Sequence, residues 1–109
     1  MTNWKRLACL ALVGAGALLA DQWTGWITDA KCARDPANNF VGETHKKCVD
    51  QGQPIVFVSE LDKSVHLITN ADRLKEIRDA VGHKVTIEGV AKGGGAIEVL
   101  SLVEATPTP

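Results

Sequence analysis

Hydrophobic and polar residues change rhythm several times along this chain, and each rhythm predicts a different element. Leu7–Leu19 carries no charge and consists of Leu, Ala, Gly, Val and one Cys. From Gln22 to Thr28, Trp23, Trp26 and Ile27 stand among Thr and Gly, a strand pattern with Gly25 marking a bulge or bend. The stretch between Cys32 and Cys48 is polar and loop-like. It ends in a short helix, His45 to Gln51, with Thr44 as N-cap and Gly52 as stop. Ile55-Val56-Phe57-Val58 is the continuous apolar run of a buried strand. Val65 to Thr69 returns beside it, with Val65 and Leu67 expected inward and His66 outward, so residues 55–69 form a hairpin. Leu74, Ile77 and Val81 at helical spacing predict a helix over Ala71–Val81, capped by Asn70 and ended by Gly82. Lys84 to Val90 alternates, with Val85 and Ile87 inward, and Gly93-Gly94-Gly95 makes a hairpin tip. Ile97 to Val103 is the last strand, and its phase break at Val99-Leu100 predicts a bulge.

These elements define a mainly β fold with one or two short helices. Five strands with a helix between the third and fourth is the order of an OB-fold, a five-stranded Greek-key barrel. An immunoglobulin-like sandwich needs about seven strands and has no place for Ala71–Val81. OB barrels bind across strands two and three, between the loop after strand one and the loop joining strands four and five. Here those loops are the cysteine loop and the Gly93–Gly95 tip.

Composition changes this picture mainly at the N-terminus. The chain has 109 residues and a formal net charge of −1, enough for one domain. Lys5 and Arg6 precede the apolar run, and Leu-Leu-Ala ends it before Asp21. A basic start, a short apolar run and a small residue at the end predict a signal peptide over residues 1–20. The run is shorter than the roughly 20 residues a spanning helix needs. A lipid-bearing cysteine should follow the apolar run, whereas Cys9 opens it. The domain then covers 21–105, followed by a frayed tail at 106–109, and no membrane span remains after signal removal. The expected location is exported, periplasmic or extracellular. Losing Lys5 and Arg6 makes the exported chain more acidic, which disfavours a nucleic-acid partner. Lys46-Lys47 reads as a solvated helix face.

Export leaves two cysteines, Cys32 and Cys48, and in an oxidising compartment the first reading is a disulfide. It would close a loop of about 15 residues, worth roughly 3 kcal/mol on the chain-entropy model. The rival is a Zn or Cu site of Cys32, His45 and Cys48, because His45 and Cys48 share a helix face three residues apart. Asp29, Asp35 or Glu43 could complete its shell. A thiol redox protein is the third reading, weakened by the lack of a Cys-x-x-Cys pair.

Gly25-Trp26-Ile27-Thr28-Asp29-x-x-Cys32, His45-x-x-Cys48, Pro54-Ile55-Val56-Phe57-Val58 and Gly82-His83-Lys84-Val85-Thr86-Ile87-Glu88-Gly89 resemble a group of small exported bacterial domains of unknown function. The resemblance spans nearly all of 23–103 and implies an OB-like fold; it implies no catalytic residue. That group often carries a further cysteine near His45–Cys48, which is lacking here. Trp23 and Trp26 fall on opposite strand faces, so one can pack inside while the other, with Phe40, meets a ligand. His66 and His83 have no nucleophile beside them in sequence, Gly93–Gly95 is no phosphate loop, and Asp29, Asp35, Glu43 and Asp50 read as solubilising charge. The expected function is a non-enzymatic, disulfide-stapled binding module without cofactor, for a protein, glycan or small-molecule ligand.

Overall fold

In a computed structural model, residues 20–35 and 39–105 are described. The expected signal peptide at 1–20, apart from Ala20, and the tail at 106–109, lie outside these residues, as does Cys9. The chain runs β1 (Asp21–Asp29), α1 (Ala30–Ala33), α2 (Glu43–Asp50), β2 (Ile55–Ser59), β3 (Val65–Leu67), α3 (Lys75–Asp79), β4 (His83–Ala91), a 3-10 turn (Gly93–Gly95) and β5 (Ile97–Glu104). The five strands form one antiparallel sheet in the order β3-β2-β1-β4-β5. An isolated parallel bridge joins Ile68 to Ile97, and the Thr69 N–H donates to the Ile97 carbonyl at 2.9 Å.

Strand alternation sorts the core into two clusters. Ile27, Phe57, Val85, Ile87, Ile97 and Val99 point to one face, where Val49 of α2, Ile77 of α3 and Val81 just beyond α3 cover them. Val56, Val58, Ala33 and Phe40 pack on the other, with Trp26 half-buried against them. β2 is therefore buried along its whole length, as its unbroken apolar run predicts. The inward phase of Val85 and Ile87 holds, and both are fully buried. The bulge also falls where the phase breaks. Glu88 pairs with Ser101 but Gly89 with Val99, which leaves Leu100 as the extra residue of β5.

Four expectations are corrected. Gly25 makes no bulge: it pairs in regular register with Ser59 on one side and Val85 on the other. It is glycine because the Val58 carbonyl lies where a side chain would begin.

The phase of β3 is reversed. Val65 and Leu67 are about half exposed, while His66 lies across from Phe57 with ring centroids 6.4 Å apart. The turn sets this register, through Ser59 N–H to Ser64 O and Lys63 N–H to Ser59 O, with Lys63 in the left-handed region.

The helix before β4 covers Lys75–Asp79 instead of Ala71–Val81. Asn70 does not cap it, because its side-chain amide donates to the Val99 carbonyl at 2.7 Å and accepts from the Val99 N–H at 3.0 Å. Ile77 and Val81 are still buried, and Gly82 still turns the chain with φ 88°. α2 begins at Glu43 with Gly42 as N-cap, two residues ahead of the expected start after Thr44.

Candidate functional site

Asp29 ends β1 and caps α1 in the same step. Its backbone is extended, and its carboxylate accepts the Cys32 N–H at 2.9 Å, the usual N-cap bond to the third helical residue. The Asp29-x-x-Cys32 spacing thus has a local cause, and it brings Cys32 back toward the carboxylate. α2 supplies the third group. Gly42 anchors its start by donating to the Gly82 carbonyl at 3.0 Å, and Val49 buries the inward face of the helix. His45, one turn before Val49, shares that face and is only 4% exposed. Its Nδ1 lies 3.1 Å from Asp29 Oδ1. A carboxylate can only accept, so Nδ1 carries the proton.

Asp29 is fully buried, and burial alone would raise its carboxyl. Hydrogen bonds from the Cys32 N–H, His45 and the Cys32 thiol outweigh that effect and hold it below the ordinary carboxylate value. The thiol responds in the opposite sense. Burial, then the hydrogen bond and charge of Asp29, with Cys48 adding, push Cys32 up to about 11.

Ligating atoms of Asp29, Cys32 and His45 lie within 4.8 Å of one another, forming a mixed oxygen, sulfur and nitrogen set. Tetrahedral zinc, with bonds of about 2.0–2.3 Å, separates its ligands by about 3.3–3.8 Å. Closing the three groups around an ion therefore shortens their separations by about 1.5 Å or less. No family model, curated protein or solved structure matches the chain.

The expected site residues fall into separate groups. Cys32 and His45 meet as the metal reading requires, and Asp29 joins them; Asp35 and Glu43 are exposed. Cys48 is half-buried one turn beyond His45, outside the group of three, though near enough to act on the Cys32 thiol. The expected Cys32–Cys48 disulfide is not formed; both are free thiols. Asp29 draws both the N–H and the thiol of Cys32 to itself. The later part of the segment between the cysteines is anchored without a bridge, by buried Phe40, the Gly42 N–H on the Gly82 carbonyl and the Asp29–His45 bond.

Phe40 is 2% exposed beneath Trp26, at a ring-centroid distance of 5.5 Å, and offers no surface to a ligand. Trp26 carries the Lys63 ammonium over its ring at 4.7 Å. Trp23, on the opposite face, borders a groove of about 390 Å³ lined by Gln22, Thr24, Ser59, Glu60 and Leu61.

A thiol raised to about 11 is a poor nucleophile. At pH 8 about one part in a thousand is thiolate, roughly a hundredfold less than for an ordinary cysteine. Peptide-resolved iodoacetamide labelling of the metal-free protein should find Cys32 about 100-fold slower than a small-molecule thiol. Asp29→Asn should speed it. Labelling faster than the free thiol would contradict the placement of Asp29 against the sulfur.

Proposed function

We propose that this chain is a small exported metal-binding protein that holds one Zn or Cu ion through Asp29, Cys32 and His45. The convergence of a carboxylate, a thiol and an imidazole at the junction of β1, α1 and α2 carries this reading. A mixed nitrogen and sulfur set suits Zn and Cu, and it does not suit Mg or Ca, which take oxygen ligands. Cys48 is the fourth ligand in this proposal, brought in from α2 when the ion binds. The protonated, carboxylate-bound thiol argues against thiol catalysis, and an incoming ion would displace its proton, so binding should strengthen as pH rises. The strand order and the Ile68–Ile97 bridge support an OB-like barrel as the frame.

Equilibrium dialysis of the reduced protein against Zn(II) should give one bound ion per chain. Cys32→Ser and His45→Ala should each weaken binding by at least about tenfold to a hundredfold, the scale of disturbing a metal's ligand sphere. Binding that survives both substitutions unchanged would overturn the proposal. A second reading, a binding module, draws on the half-buried Trp23 beside its groove, where an aromatic face and the Glu60 carboxylate could hold a sugar ring. Trp23 fluorescence titrated with oligosaccharides tests that reading separately.

A further inference from the structure

His66, expected as a plain surface residue, stands at the middle of three hydrogen bonds in series. Ser64 Oγ lies 2.6 Å from Asp62 Oδ1 and 2.8 Å from His66 Nε2, and His66 Nδ1 lies 2.6 Å from the Gly95 carbonyl. The two ends of this chain are a carboxylate and a carbonyl, which can only accept. Ser64 has one hydroxyl proton to give. If it goes to Asp62, the bond between Ser64 and Nε2 needs a proton from the ring, and the bond to Gly95 needs another at Nδ1. A neutral imidazole has one proton and can serve Ser64 or Gly95, not both.

We propose that Asp62, Ser64, His66 and Gly95 form a proton-operated latch, closed when His66 is an imidazolium, that fastens the β2–β3 turn to the Gly93–Gly95 turn. Ser64 holds the Asp62 carboxyl below its ordinary value, through its hydroxyl and then its N–H, so the added proton belongs on the ring. The other charged groups on the neighbouring elements are engaged elsewhere. Glu60 pairs with Lys84, Lys63 lies over Trp26, and Lys92 pairs with Glu98 at 3.2 Å. β2, which packs Phe57 against the imidazole, carries no charged residue. The latch sits beside the seam where Thr69 bonds Ile97, so its opening loosens the contact between the segment after β3 and the start of β5. Histidine is the side chain suited to such control between pH 5 and 8.

The test is NMR-detected amide exchange of the full exported chain over that range, corrected for the intrinsic pH dependence of exchange. The reporters are the Lys92 N–H, bonded to the Ala96 carbonyl, and the Thr69 N–H, bonded to the Ile97 carbonyl. Their protection should fall by about fivefold, the scale of one hydrogen bond, as the His66 ring signals titrate. His66→Phe should show the low protection at every pH. Asp62→Ala separates the latch from general loosening. Without an acceptor at position 62, Ser64 is free to donate to Nε2, so a neutral ring keeps its proton for Gly95. That variant should stay protected across the range, with the pH dependence gone. Protection in the native chain that ignores the His66 titration, or full pH dependence in Asp62→Ala, would overturn the latch.

Discussion

Replacing Asp29 with Ala should cost about 3–5 kcal/mol of folding stability, the range for breaking a buried polar pair. The loss has a specific origin. The Cys32 N–H and His45 Nδ1 would each lose an acceptor, and leaving a buried donor unpaired costs about 1–3 kcal/mol. Asp29→Asn tests the charge alone, since an amide of similar shape still fills the space.

The pH dependence follows from the lowered Asp29 carboxyl. In the unfolded chain the group titrates near the ordinary aspartate value of about 3.9. Folding holds it lower, so the folded chain binds fewer protons as pH falls through this window. Its stabilisation is complete above the unfolded value and is lost as pH drops through the folded one. Urea unfolding should therefore show a constant gap between native and Asp29→Asn proteins above about pH 5, closing below about pH 4. A gap independent of pH down to acid unfolding would contradict the carboxylate's role.

Gly25→Ala should be at least as damaging, for a different reason. An added Cβ would stand 2.0 Å from the Val58 carbonyl oxygen and 2.8 Å from the Phe57 ring. β1 lies at the centre of the sheet, bonded to β2 and β4, so neither neighbour can yield without breaking a ladder. A loss above about 4 kcal/mol is expected, enough to leave little folded protein. Gly93→Ala is the control, because open space surrounds that position. It should change stability by less than about 0.5 kcal/mol. Equal, small effects at both positions would contradict the close packing of β1 on β2.

The features legible in the sequence are those with local causes. Alternation alone marks Val85 and Ile87 as inward, and a doubled apolar pair marks the extra residue at Leu100. The phase of β3 was not legible, because β2 is apolar on both faces and accepts its partner in either phase. A turn bond and the left-handed Lys63 decide the matter. Asn70 looked like a helix cap, but its partner lies 29 residues away on β5. The candidate site was half legible. Cys32, His45 and Cys48 stand out by residue type alone. Asp29 was one carboxylate among several until its N-cap geometry and its contact with His45, 16 residues away, set it apart.

X-ray absorption at the metal edge of the Zn-loaded protein tests the central claim most directly, because it reads the donor atoms themselves. Sulfur scattering is expected at about 2.3 Å together with lighter atoms at about 2.0–2.2 Å. Imidazole scattering should disappear in His45→Ala, and the sulfur contribution should fall in Cys32→Ser. A shell of nitrogen and oxygen alone, unchanged by either substitution, would contradict metal binding at Asp29, Cys32 and His45.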